Sequence, residues 1–228
     1  MRAVVWDLDG VIVDSAAAHN ASWVAMAAEF GVPYDPDKDF KGIFGRHNTD
    51  IISSLWKVTD PDQMERMAAR KEVLFREAAR NLKPLPGVTD LVRSLAEAGW
   101  KQGIGSSAPL ENIRLLLEVT GLSTYMQGIT SAEDVTRGKP HPQVFLLAFE
   151  RLGVSPRDGV VIEDAPSGVL AAIAAGAASI GVTNTQTEQT LREAGADLVV
   201  PSLEGLTMSD LEDLVRRNQA RGVKRETP

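Results

Sequence analysis

Six short, strongly apolar runs, at residues 3–6, 102–105, 128–130, 160–162, 179–182 and 198–200, constrain this chain more than any other feature. Runs this short and this apolar are expected as strands with both faces covered. Between them the apolar spacing turns helical. Val88, Leu91, Val92 and Leu95 share a stripe, as do Leu110, Ile113 and Leu117, and then Val144, Leu147, Ala148 and Leu152. The alternation predicts an α/β fold: a Rossmann-like parallel sheet core with helices on both faces.

Residues 15–80 break that rhythm with three helical patterns and no convincing strand. The first, 16–30, sets Trp23, Ala27 and Phe30 on one face and stops at Gly31 and Pro33. The second follows Asn48 or Thr49, and the third begins near Pro61, a residue suited to a first turn. The stiff run Asn81-Leu82-Lys83-Pro84-Leu85-Pro86-Gly87 then returns the chain to the sheet. The expected organisation is a discontinuous α/β core, 1–14 and 82–228, with a small all-helical domain, 15–81, inserted after the first strand. Linkers at 11–14 and 81–86 flank the insert.

A chain of 228 residues with 43% apolar and 24% charged side chains has enough oil for a core and no compositional case for disorder. It contains no cysteine, which removes disulfide scaffolds, thiolate metal sites and cysteine nucleophiles together. A net charge of −7 argues against a nucleic-acid surface. Asp7 interrupts any export signal, and no apolar run approaches a membrane span of about 18 residues. The reading is a cytoplasmic monomer that binds neither nucleic acid nor membrane. The polar tail after Arg216, with Arg217, Arg221, Lys224, Arg225 and Pro228, is expected to fray.

The chemistry gathers at strand ends. Asp7-Leu8-Asp9-Gly10 follows the first apolar run, where open α/β sheets bind ligands. Glu163 and Asp164 follow another. If the two strands are neighbours, Asp7 and Asp164 converge, and two carboxylates about 4 Å apart repel by roughly 4 kcal/mol at an effective dielectric of about 20. Such a pair needs a proton or a cation, and oxygen ligands without His or Cys favour Mg²⁺. Ser106 and Ser107 stand at a third strand end, and Lys139 on a loop before a helix. Alone, each has an ordinary reading as a turn, a cap or a solvated charge. Together they suit phosphoryl transfer, which requires in-line placement and neutralised oxygen charge.

In that order the motifs resemble the haloacid dehalogenase superfamily: Asp7-Leu8-Asp9-Gly10, Ser106, Lys139, then Glu163-Asp164. The likeness extends over nearly the whole chain, the helical cap included. It is greatest to the branch of β-phosphoglucomutases and sugar-phosphate phosphatases, from residues 7–15, Gly138-Lys139-Pro140-His141-Pro142 and Glu163-Asp164-Ala165-Pro166-Ser167-Gly168. The resemblance implies that Asp7 attacks phosphorus and forms an aspartyl-phosphate, that Asp9 is the acid and base, and that Ser106 and Lys139 hold phosphoryl oxygens. It also implies Mg²⁺ on the Asp7 carboxylate, the Asp9 carbonyl and Asp164, with Glu163 either a ligand or a support for one. Asp9 argues against a dehalogenase or phosphonatase, which lack that second aspartate.

Cap counterparts of the mutase residues are His19, Trp23, Arg46, at the end of the glycine-bearing loop Lys41-Gly42-Ile43-Phe44-Gly45-Arg46, and Lys71. Trp23 fits cap-core packing equally well, and Lys71 reads more naturally as a solvated helix charge. Mutases of this branch place a Ser-Lys pair after the strand-end hydroxyl to grip the phosphate that is not transferred. Ala108 and Pro109 supply no such donors. The expected activity is therefore hydrolysis of a small phosphorylated sugar or polyol, with a β-phosphoglucomutase-type reaction as the alternative. A non-enzymatic receiver-like module is more remote, since a receiver needs an open face rather than a cap.

Overall fold

The computed structural model describes residues 1–43 and 46–226, apart from the side chains of 222–226. The first apolar run forms β1 (Ala3–Trp6), whose four side chains are completely buried. Strands β2 (Lys101–Gly105) and β3 (Gly128–Thr130) extend the sheet on one side. On the other lie β4 (Gly159–Glu163), β5 (Ala178–Val182) and β6 (Leu198–Val200). The order is β3-β2-β1-β4-β5-β6 with every pairing parallel. Winding reverses between β1 and β4, so the loops leaving these two strands diverge and open a crevice at their carboxyl ends. Trp6 pairs with Ile162, and the Asp7 N–H donates to the Ile162 carbonyl at 2.9 Å, which brings Asp7 beside the end of β4.

The chain divides into two compact units, Met1–Asp14 with Lys83–Pro228, and Ser15–Leu82. The second contains α1 (Ala16–Phe30), the one-turn α2 (Phe40–Ile43), α3 (Asn48–Trp56) and α4 (Pro61–Ala78). Gly31 ends α1 in the left-handed region, with φ 65°, and its N–H returns to the Ala27 and Ala28 carbonyls. Pro61 opens α4, where its missing N–H costs nothing. Trp23, Met26, Ile43, Ile51, Ile52, Met67 and Leu74 make the core of this unit. Phe44 and Gly45, read from sequence as part of a glycine-bearing loop, lie outside the described residues.

The sheet unit carries α5 (Val88–Glu97), α6 (Leu110–Val119), α7 (Gln143–Leu152), α8 (Pro166–Ala175), α9 (Glu188–Glu193) and α10 (Met208–Glu226). One face of the sheet packs Ala3, Val5 and Val161 against Val144, Phe145, Ala148, Phe149 and Leu152 of α7. The stripe read from sequence included Leu147, which is only half-buried; Phe145 and Phe149 take the core positions instead. Two phenyl rings bury more apolar area than one Leu, and they set the rotation of α7. The frayed tail expected after Arg216 is also corrected, because α10 runs on to Glu226. Asn218 donates to the Gly176 carbonyl at 2.8 Å, and Arg221 pairs with Asp197 at 2.6 Å, so polar contacts anchor what lacks apolar ones. The Lys224 and Arg225 side chains and Pro228 fall outside the described residues. No helix among the described residues is long and apolar enough to cross a membrane.

Candidate active site

Four charged side chains meet at the ends of β1 and β4. Lys139 Nζ lies 2.5 Å from Asp7 Oδ1 and 2.7 Å from Glu163 Oε1, with its side chain 9% exposed. The Phe145 ring sits under that ammonium at 4.8 Å and walls it from solvent. The other Glu163 oxygen accepts the N–H groups of Asp164 at 2.9 Å and Ala165 at 3.0 Å. Both oxygens of Glu163 are thus engaged, one on Lys139 and one on backbone. Gly168 makes this possible: a Cβ there would fall 1.8 Å from Glu163 Oε1. Oxygens of Asp7, Glu163 and Asp164 lie within 4.8 Å of one another, and all three residues are buried.

The remaining candidates follow the carboxyl ends of β1 and β2. Ser106 is buried at the end of β2; its N–H donates to the Thr130 carbonyl at 3.0 Å and its Oγ accepts the Ala108 N–H at 3.1 Å. Ser107 beside it is exposed. Asp9 is half-buried, and its carboxylate is outside the three-carboxylate group. The Gly10 N–H donates to the Val13 carbonyl at 2.8 Å, closing a tight loop over the buried side chains of Leu8, Val11 and Ile12.

Within the helical unit, His19 Nδ1 lies 2.9 Å from Lys71 Nζ, and the His19 ring stacks on Phe75 with centroids 4.0 Å apart. An ammonium can only donate, so Nδ1 accepts and the ring proton belongs on Nε2. Glu72 Oε1 receives Lys71 at 2.9 Å and the Asn48 amide at 2.6 Å. The solvated reading of Lys71 is corrected: it is 2% exposed, its ammonium 5.4 Å from the centre of the Trp23 ring. It falls on the face of α4 that buries Met67, Leu74 and Phe75. Trp23 is buried in the core of the unit. Arg46 is exposed and donates to Ser54 Oγ at 3.1 Å.

One ammonium among three buried carboxylates leaves two negative charges uncompensated. Burial pushes Asp7 well above its ordinary value; Lys139 opposes the rise, while Glu163 and Asp164 add to it. Burial and then Glu163 push Asp164 up to about 7. Burial would lower Lys139, but the carboxylates of Asp7 and Glu163 more than reverse this and hold it above its usual value. Oxygen donors with a charge deficit of two fit a hard divalent cation.

This has a measurable consequence. A carboxyl with a raised folded pKa keeps its proton in the fold after the unfolded chain has lost it, so stability falls as pH rises between the two values. For Asp164 the window runs from 3.8 to about 7. Added Mg²⁺ should therefore raise the melting temperature strongly at pH 7.5 and very little at pH 4.5, as thermal unfolding with and without the ion will show. The difference isolates the cluster, since surface carboxylates lowered by basic partners, such as Asp134 by Arg151, are common to both curves. Equal shifts at both pH values would count against a cation among these carboxylates.

A profile of the haloacid dehalogenase-like hydrolases matches residues 1–176. The chain belongs to this family. It is 33% identical to a β-phosphoglucomutase of Bacillus subtilis, an alignment covering 93% of this chain and 95% of that protein. It is 31% identical to hexitol phosphatase B of Escherichia coli over 92% of this chain and 96% of the other. Among solved structures, a family IA hydrolase of Entamoeba histolytica superposes with a TM-score of 0.85 at 27% identity, covering 95% of this chain and all of the other.

Several supports of this dehalogenase-like site were not read from sequence. Asn184 donates to the Gly10 carbonyl at 2.8 Å, and Thr185 Oγ1 donates to Asp164 Oδ2. Gln143 Oε1 accepts the N–H groups of Thr136 and Arg137 at 3.1 and 3.0 Å, anchoring the loop that carries Lys139. The Glu133 carboxylate accepts the Leu110 N–H at 3.1 Å, at the start of α6. Thr183-Asn184-Thr185 had a usable signal, because it is a polar run leaving a buried strand, as Asp7-Leu8-Asp9 is. Gln143 and Glu133 had none, since nothing local distinguishes them from surface residues.

Proposed function

We propose that this protein is a Mg²⁺-dependent phosphatase of small phosphorylated sugars or polyols that works through an aspartyl-phosphate on Asp7. The observation that carries the chemistry is the buried grouping of Asp7, Lys139, Glu163 and Asp164 at the switch point of the sheet. Asp7, Asp164 and the Asp9 carbonyl are the oxygens assigned to Mg²⁺, with Glu163 given to Lys139. When bound, the ion offsets the charge that raises Asp7 and draws electron density from the phosphoryl oxygens.

Lys139 fixes Asp7 through Oδ1, leaving Oδ2 to attack phosphorus as the bond from phosphorus to the sugar oxygen breaks. Asp9 gives its proton to the departing oxygen. It then takes a proton from the water that attacks the aspartyl-phosphate, so phosphate leaves and both aspartates return to their starting states. The Ser106 hydroxyl accepts from Ala108 and keeps its own proton for a phosphoryl oxygen. Ser107 offers a second hydroxyl nearby. Within the helical unit, His19, Trp23 and Arg46 are assigned to recognition of the sugar or polyol, with Lys71 holding His19 through Nδ1. The cysteine-free composition suits a reducing compartment, and we place the enzyme in the cytoplasm.

Water as the acceptor is supported by the start of α6. A mutase must hold a bisphosphate by both ends. Here Pro109 precedes the helix without an N–H, and Glu133 already occupies the Leu110 N–H with a carboxylate. A second phosphate at that loop would meet negative charge instead of donors. The test is a panel of hexose, pentose and polyol phosphates assayed for phosphate release with Mg²⁺, alongside β-glucose 1-phosphate assayed for glucose 6-phosphate with a bisphosphate primer. Release across several substrates without isomerisation is expected. Rapid isomerisation with little free phosphate would establish the mutase, and at most one phosphate per chain on any substrate would leave only a switch.

A further inference from the structure

We infer that Thr185 is a positioning residue for the cation site, holding Asp164 so that a single carboxylate oxygen faces the ion. The inference rests on the cation assignment above and goes beyond it by naming what orients the ligand. Three segments converge at this point. The loop leaving β5 is pinned to the sheet by the Thr183 N–H, which donates to the Val200 carbonyl at 3.0 Å. Asn184 then reaches the Gly10 carbonyl at 2.8 Å, and Thr185 Oγ1 donates to Asp164 Oδ2 while lying 3.3 Å from the Asp164 carbonyl.

The fit around this contact is close. A Cβ on Gly10 would stand 2.1 Å from Asp164 Oδ2 and 3.0 Å from the Thr185 methyl, and Gly10 has φ 77°. The absence of a side chain at position 10 is therefore what lets the Asp164 carboxylate and Thr185 meet over the Asp-x-Asp-Gly loop. The same loop is held on its other side. The Gly10 N–H is committed to Val13, and because the peptide is planar and trans, the Asp9 carbonyl points the opposite way. Asn184 fixes the next peptide. One segment after β5 thus steadies both the Asp164 carboxylate and the backbone that offers the Asp9 carbonyl.

A carboxylate free to turn can take a cation through either oxygen or both, and loses that freedom on binding. With Oδ2 accepting from a hydroxyl, Oδ1 is left as the ligand in a fixed direction, which suits an ion that demands near-octahedral geometry. Partners that orient ligands in this way are typically worth about 10- to 100-fold in metal affinity. Thr185 is itself exposed, so water can partly replace its hydroxyl, and the lower end of that range is expected.

The experiment titrates the purified full-length protein with Mn²⁺ in the absence of substrate, following free ion by electron paramagnetic resonance, for wild type, Thr185→Val and Thr185→Ser. Valine keeps the shape and removes the donor, while serine restores it. The expected result is about tenfold weaker Mn²⁺ binding by T185V and near-wild-type binding by T185S, with melting temperatures of the metal-free proteins within a degree or two. Wild-type affinity in T185V would overturn the inference. So would equal weakening in both variants with a lowered melting temperature, which would make Thr185 a tether for the loop. Failure of the wild type to bind Mn²⁺ would instead remove the cation assignment, and this inference with it.

Discussion

Asp7→Asn is expected to lower turnover by roughly four orders of magnitude or more, the scale seen when the nucleophile of a site that acts as a unit is removed. An amide keeps the shape and an oxygen for Lys139, but it neither attacks phosphorus nor carries charge. The fold should not suffer. Asp7 is one of three buried carboxylates facing one ammonium, and burial already pushes it well above its usual value. Replacing it with a neutral group relieves repulsion, so the metal-free variant should melt at or above the wild-type temperature at pH 7.5, with a smaller gain from Mg²⁺. Phosphate release from the best substrate of the panel and thermal unfolding measure the two halves. Substantial residual turnover would remove the nucleophile assignment, and loss of folding would make the kinetic result uninformative about chemistry.

The sheet was legible because burial on both faces leaves a local mark. The runs at 3–6, 128–130 and 198–200 are strands with those bounds, and the other three gain one residue at one or both ends. Strand order leaves no such mark. That β1 neighbours β4 could be stated only as a condition, and on it depends the meeting of Asp7 with Glu163 and Asp164, more than 150 residues away in sequence. Motif chemistry picked out Lys139, but its place between Asp7 and Glu163 is a tertiary fact. Lys71 shows a different failure. Its neighbours Arg70 and Glu72 make a charged run that suggests solvent, yet Met67, Lys71, Leu74 and Phe75 recur at helical spacing and share the buried face. Period outranked charge there. The four-residue α2 had too few residues for any periodicity to register.

Lys139→Met should have the second-largest effect, and it divides between catalysis and stability. Lys139 is nearly buried, bridges Asp7 and Glu163, and rests on Phe145. Methionine fills the stem of the side chain but leaves three buried carboxylates with no ammonium among them. Breaking a buried pair by removing one partner typically costs about 3–5 kcal/mol, because a buried charge loses its compensation. The metal-free variant at pH 7.5 should therefore melt well below wild type. Without Lys139 the charge and hydrogen bond that lower Asp7 are gone, so its folded pKa rises further and its proton is retained to higher pH. Lowering the pH toward 5 then protonates the cluster, and the gap in melting temperature from wild type should narrow. Turnover should fall by about a thousandfold at saturating Mg²⁺, the range lost with one preorganised group that stabilises transition-state charge. Lys139→Arg should not rescue it, since a planar guanidinium cannot occupy a pocket shaped for a point charge 2.5 Å from one carboxylate and 2.7 Å from another. Thermal unfolding at both pH values, with steady-state phosphate release, decides the matter. A stability gap that persists unchanged at pH 5 would mean that lost packing, not uncompensated charge, explains the variant, and wild-type turnover would remove Lys139 from the phosphoryl site.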